Sequence, residues 1–203
     1  VTITASDLIM YGDATDSNNT KRDTVQGILD LAGGGAWEFI SETVISSDAT
    51  IAFTDMVDNY DYLYTFTNLK ISTDSNGVYY TLGVAGPTYR TGSGYNFGTN
   101  GPRSGTFYGY LETDKGQMVR NGIGTAGEER CHYAEVLVLN PMDASQDTML
   151  AGNSYYQSYS GNFDFEVHSG HYTTAEAHPC IQFETNATNL TSGQLRRFRR
   201  ATA

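Results

Sequence analysis

The amino-acid sequence predicts an all-β chain: an antiparallel β-sandwich, jelly-roll-like, with a short N-terminal strand-turn-helix appendage. Three observations carry this expectation. From Trp37 onward, apolar and polar residues alternate with period two. The alternating runs are short, and Gly, Asn and Ser turns separate them. No part of that body spaces its apolar residues as a helix does. Eight or nine strands of this kind suit a sandwich, with a closed barrel as the competing architecture.

Residues 1–33 read as a connector or attachment segment. Val1–Thr4 and Leu8–Tyr11 are extended and apolar, Gly12–Asn19 is a polar turn, and Thr24–Leu31 sets Val25, Ile28 and Leu29 at helical spacing. Asp23 or Thr24 supplies an N-cap and Gly33 a C-terminal stop. A helix with one apolar stripe buries it better against symmetry mates than alone, so association is expected. Gly33-Gly34-Gly35 then breaks the chain ahead of the sandwich domain, residues 36–203.

Within that domain, Trp37–Ile45 and Thr50–Thr54 are strands joined by Ser46-Ser47-Asp48. Tyr60, Tyr62, Tyr64 and Phe66 alternate with polar or smaller partners, as do Val78, Tyr80, Leu82 and Val84 after the turn Asp74-Ser75-Asn76-Gly77. An Asn-Gly pair supplies positive φ angles to a tight turn, so these two strands are expected to be neighbours. Phe107–Leu111 follows, and Tyr133–Leu139, apolar almost throughout, is expected to be central. Phe163–His168, Cys180–Glu184 and Gln194–Arg199 complete the set.

Composition narrows the function. A chain of 203 residues accommodates one large all-β core. Lys+Arg 12 against Asp+Glu 23 gives a net charge of −11, which opposes phosphate attraction and argues against a nucleic-acid partner. No stretch approaches the ~20 apolar residues of a membrane helix, so no membrane insertion is expected. The first thirty residues read as lacking an export signal, and a start at Val1 suggests a fragment or processed chain. Arg196, Arg197, Arg199 and Arg200 crowd the last eight residues, where no acid stands. Such a basic end faces something acidic, either an adjoining subunit or this domain's own surface. Cys131 and Cys180 are either buried free thiols or one bridge between adjacent strands.

Catalytic chemistry is not expected. Glycan hydrolysis needs two carboxylates opposed across a cleft, and Asp55, Asp58, Asp61, Glu112, Asp114, Glu128 and Glu129 fall mostly at strand ends, as solvated turn acids do. His168, His171, His178 and the pair Cys131-His132 are metal-capable, but their spacing fits no tight zinc pattern. A nucleophile elbow and a phosphate loop are both missing. Asn18, Asn186 and Asn189 open short glycosylation sequons that chance accounts for. No cofactor and no metal are called for.

Recognition by surface remains. Tyr among Ser, Gly and Asn is the composition of adaptable contact loops, and aromatic faces also stack on sugar rings. The strict alternation of Tyr60, Tyr62 and Tyr64 favours core over contact. Irregular segments 86–105, with six Gly and two Pro, and 153–162 read as the contact loops. Their candidate receptor-binding residues are Tyr89, Tyr95, Tyr155, Tyr156 and Tyr159.

Asp7-Leu8-Ile9-Met10-Tyr11, Thr20-Lys21-Arg22-Asp23-Thr24-Val25 and Ile28-Leu29-Asp30-Leu31 resemble a connector of bacteriophage fibre and appendage proteins. Trp37–Ser41, Ile51–Thr54, Tyr60–Tyr64, Ala134–Pro141 and Leu190–Arg196 resemble the β-rich knobs of tailed phages. The resemblance implies a virion-surface protein, typically a homotrimer among other virion proteins, attaching to a host-surface glycan or other envelope receptor. Tail and capsid mounts use the same modules. Arg197-Phe198-Arg199-Arg200 is more basic than the family's usual ending, which leaves the docking of the last strand open. A capsid decoration or cement protein is the alternative, a polysaccharide depolymerase the third reading, and a cellular carbohydrate-binding module a further one.

Overall fold

Alternation along residues 60–71 decides which side of a strand becomes core. In the computed structural model, Tyr62, Tyr64 and Phe66 are fully buried, whereas Leu63, Thr65 and Thr67 between them stay partly exposed. The structure describes residues 8–13, 19–24, 37–103, 106–186 and 188–202. Two compact units result: residues 1–36 with Ala203, and Trp37–Thr202.

In the first unit, β1 (Leu8–Asp13) pairs antiparallel with β2 (Asn19–Thr24), Leu8 opposite Thr24 and Asp13 opposite Asn19. A strand over Leu8–Tyr11 was expected and is present. Thr24, the expected helix start, is instead the last residue of β2, paired with Leu8. The rest of that expected helix, and Gly33, lie outside the described residues.

The second unit holds β3 (Glu38–Ile45), β4 (Thr50–Phe53), β5 (Tyr60–Ile71), β6 (Asn76–Val84), the two-residue β7 (Thr88–Tyr89), β8 (Tyr95–Arg103) and β9 (Thr106–Glu112). After these come β10 (Gly116–Ile123), β11 (Cys131–Leu139), β12 (Thr148–Gln157), β13 (Phe163–Tyr172), β14 (Cys180–Thr185) and β15 (Leu190–Ala201). They form two antiparallel sheets. The larger runs β3-β15-β5-β11-β12-β13-β8-β9, and the smaller runs β10-β6-β14-β4 with β7 on β6. The chain changes sheet repeatedly, at β3/β4, β5/β6, β9/β10 and β13/β14 among others, in a jelly-roll-like manner. Each sheet keeps two open edges, so the two layers form a sandwich and not a closed barrel.

Aromatic rings join the layers. Phe183 of β14 lies 5.2 Å from Tyr64 and 4.9 Å from Phe66 of β5, and Tyr80 of β6 meets Phe97 of β8 edge-on at 5.7 Å. Each such buried side chain contributes ~2–3 kcal/mol from area alone. Tyr62 and Tyr64 are therefore core, as their alternation predicts. β11 lies inside the larger sheet between β5 and β12, the central place expected for it. Cys131 and Cys180 are both buried free thiols.

Three expectations need correction. β5 and β6 are not neighbours; they belong to opposite sheets, and their inward rings Tyr64 and Tyr80 both pack on Phe183. Each strand has an apolar face that needs the other layer, which a hairpin would not provide. The positive φ between them belongs to Ser75, at 65°, while Asn76 and Gly77 open β6. Gly77 serves close approach instead, since a Cβ there would lie 2.7 Å from the Val119 carbonyl oxygen. Finally, segment 86–105 is no free loop, because it contains β7 and β8, and β8 is an internal strand of the larger sheet.

Candidate interaction surface

Trp37 and Thr202, the first and last residues of the sandwich, share one end: the Arg200 guanidinium carbon sits 4.8 Å over the Trp37 ring, and Thr202 N–H donates to the Asn59 carbonyl at 2.9 Å. The strands run away from that end. At the far end the turn Ser158–Asn162 joins β12 to β13, closed by Ser158 N–H donating to the Asn162 carbonyl at 2.8 Å and by Gly161 at φ 79°.

Beside this turn the outer face of the larger sheet turns aromatic. Register puts Tyr133, Tyr155 and Phe165 in one cross-strand row, and Gln157 opposite Phe163 in the next. Tyr155 and Phe165 rings lie 4.6 Å apart, while His132 stacks on Phe163 at 6.1 Å with 27° between planes. Phe163 is 75% exposed, Tyr155 50% and, on the turn, Tyr159 40%. Tyr133, Tyr155, Phe165, Phe163 and His132 thus form an aromatic shelf on adjoining strands. Amides of Gln157 and Asn162 border it, held by Gly161 carbonyl at 3.0 Å and Ser160 hydroxyl at 3.0 Å. Tyr133 donates its hydroxyl to Glu135 at 2.6 Å, and burial together with that carboxylate pushes its phenol pKa up, so it stays protonated. Rings offer an apolar platform and amides offer directional hydrogen bonds, the two elements that sugar rings require.

No family model, no curated protein and no solved structure matches this chain.

The five tyrosines expected at the surface divide. Tyr155 is exposed on the shelf and Tyr159 on the turn that follows it, where its N–H donates to the Gly122 carbonyl of β10 at 3.3 Å. Tyr89 is half-buried on β7 in the other sheet, its ring covering Gly83, where a Cβ would come within 2.9 Å of it. Tyr95, 2% exposed, and Tyr156, 1% exposed, are core residues and leave the contact surface. Tyr95 packs at 5.0 Å on Tyr172 and its hydroxyl accepts from Leu82 N–H at 2.7 Å. Tyr156 donates to Glu166 at 2.7 Å. Neighbours on a strand point to opposite faces, so Tyr155 outward sends Tyr156 inward. Phe163, Phe165 and His132 were not anticipated at the shelf; alternation through Phe163-Asp164-Phe165-Glu166 was the signal available.

That same alternation buries Asp164 and Glu166 on the inner face of β13, two acids absent from the expected set. Burial raises the Glu166 pKa, and Tyr156 hydroxyl and Arg120 N–H, the latter at 3.0 Å, hold its two oxygens. Both acids are core groups rather than walls of a cleft. Among the expected acids, burial and then Asp114 raise Glu112. Asp55 and Asp61 serve as partners of arginine: Arg197 meets Asp55 at 2.6 Å and Arg200 meets Asp61 at 2.8 Å, while Arg196 meets Glu42 and Arg199 meets Glu38, both at 2.7 Å. The basic end therefore faces this domain's own surface. The histidines stand apart, and no group of three or more metal-capable side chains occurs among the described residues.

Proposed function

We propose that this chain is a non-enzymatic structural and adhesive part of a tailed-phage particle, displayed at the virion surface, whose sandwich grips host-surface glycan through the aromatic shelf. The observation that carries the reading is placement: Tyr155, Phe163, Phe165 and Tyr159 stand at the end of the sandwich opposite Trp37, where the domain's chain begins. A module tethered at one end reaches its target with the other. Exposed aromatic side chains that are clustered rather than scattered mark an interaction site. Antiparallel strands hold them in a fixed array, so little conformational freedom is lost on binding. The likeness of residues 7–31 and of the body to phage fibre and appendage proteins supports the same reading. Each contact is weak, and several copies on one particle multiply it through effective concentration.

Adsorption decides it. Purified protein is incubated with a panel of bacterial cells and their isolated surface polysaccharides, and Tyr155→Ala and Phe163→Ala are compared with the parent. Binding reduced on the order of 10-fold or more by either change is expected for a ring at the centre of a contact. Unchanged adsorption in both variants would favour the cement role, and newly formed reducing ends in the polysaccharide would favour the depolymerase.

A further inference from the structure

The smaller sheet carries a cluster of reactive groups that the shelf does not use. Register sets Tyr79 of β6 between Gln117 of β10 and Glu184 of β14. Lys115, in the turn that opens β10, reaches across β6: its Nζ lies 4.0 Å over the centre of the Tyr79 ring and donates to Oδ1 of Asn186, just past the end of β14. Asn186 Nδ2 donates in turn to the Tyr79 hydroxyl at 3.2 Å. Glu184 places Oε1 4.0 Å from Lys115 Nζ, and Gln182 Nε2 holds its other oxygen at 3.0 Å. At that distance the carboxylate is too far to hydrogen-bond the amine, and the carboxamide takes the contact instead. An amine, a carboxamide and a carboxylate thus meet over one aromatic ring, with the Lys115 side chain only 17% exposed.

We propose that Lys115 and Asn186 join in an intramolecular isopeptide bond, which the folded chain forms on itself with Glu184 as proton acceptor. Glu184 takes one proton from the Lys115 ammonium and so frees the Nζ lone pair, the form in which an amine attacks. The bond from Nζ to Asn186 Cγ forms and the bond from Cγ to Nδ2 breaks. The second Nζ proton passes to the leaving nitrogen, which departs as ammonia, and Glu184 then gives up its proton to solvent. Electrons are neither gained nor lost, and no co-reactant is consumed. Geometry favours the step because the attacking atom already lies against the carboxamide, whose nitrogen is held by the Tyr79 hydroxyl. Burial raises the pKa of that phenol, so it stays protonated beside the leaving group. Asn186 is exposed, which leaves ammonia a way out. The bond would also serve the fold: β10 is an edge strand that meets β6 through two register shifts, and the new link ties it to β14 across β6. Like a disulfide, it would restrict the unfolded chain by closing the loop between its two ends. The inference does not depend on the glycan reading, because cluster and shelf lie on different sheets.

Mass spectrometry of the full chain tests it. The parent is expected to weigh about 17 Da less than its sequence, the mass of one released ammonia, and its tryptic digest to contain a branched peptide that joins Lys115 to Asn186. Lys115→Arg and Asn186→Ala are expected to restore the full mass and to lower the melting temperature by roughly 10 °C, as loss of a cross-link does. Glu184→Gln is expected to fold, by circular dichroism, and to remain largely unlinked; complete linkage in that variant would overturn the role given to Glu184. Should the variants fail to fold, the mass and the branched peptide of the parent still decide. A parent that keeps its full sequence mass after prolonged incubation at mildly alkaline pH overturns the inference. So does a deficit of the same size that survives Lys115→Arg, as a succinimide at Asn76-Gly77 would.

Discussion

His168 lies on the inner face of β13 with its ring 5.7 Å from Phe97 and 6.2 Å from Tyr80, and the Glu135 backbone is the one polar group that favours its charged form. Burial holds its pKa down to about 3, against an ordinary 6.5. The folded chain therefore keeps this ring neutral where the unfolded chain takes up a proton. Stability from the neutral ring is complete above about pH 6.5 and is lost as pH falls toward about 3. Glu166 works in the opposite sense. Its raised pKa lets the folded state hold a proton that the unfolded state gives up, so its contribution is lost as pH rises through the folded value and partly offsets His168 on the acid side. His168→Phe keeps the stacking and removes the titration. Urea unfolding at a series of pH values is expected to show the parent weakening from pH 6.5 to 4 and the variant weakening less; equal acid slopes would exclude His168 as the cause.

At the scale of elements, one residue sets the phase of a whole strand. On β5 the buried apolar positions are Tyr62, Tyr64 and Phe66, then Leu69 and Ile71. The switch from even to odd occurs at Asn68, which sits at φ 53° where the four residues from Thr67 to Lys70 face the three from Gln194 to Ser192 on β15. This is a β-bulge, and without it the last two apolar residues would face outward. Asn68→Gly is expected to leave the urea midpoint nearly unchanged, because glycine adopts positive φ freely. Asn68→Val is expected to cost ~1–3 kcal/mol through a strained backbone, and deletion of Asn68 to abolish folding, all read by circular dichroism and urea titration. Strands with clean alternation, such as residues 60–66 and 133–139, were legible in the sequence. β8, β10 and β12 were not, because glycines that mark turns elsewhere here make room inside a sheet. A Cβ on Gly101 of β8 would lie 1.9 Å from the Phe165 carbonyl oxygen, and one on Gly152 of β12 would lie 2.5 Å from the His168 ring. Those strands hid inside segments that read as loops, and they carried Tyr95 and Tyr156 into the core with them.

For the whole molecule, the decisive element is the last strand. β15 lies between β3 and β5, so residues 190–201 join the first strand of the sandwich to its aromatic core. Exposed ion pairs of the kind Arg196 and Arg199 make with Glu42 and Glu38 contribute little, typically ~0–1 kcal/mol. Arg197 differs: it is buried, with its guanidinium carbon 4.9 Å from the Tyr62 ring and 5.2 Å from Phe53 while it binds Asp55. That residue lets a basic strand dock in an aromatic layer, which sequence left open because the acids it meets lie some 140 positions earlier. Pairings of such long sequence separation form late and have no local substitute. The sandwich should thus tolerate loss of what precedes it and not loss of its last strand. A chain beginning at Trp37 is expected to melt cooperatively at the temperature of the parent, since Trp37–Thr202 is a compact unit with its own core, whereas a chain ending at Thr188 is expected to give no cooperative transition. A cooperative melt from the latter would show that β3 and β5 find each other without β15.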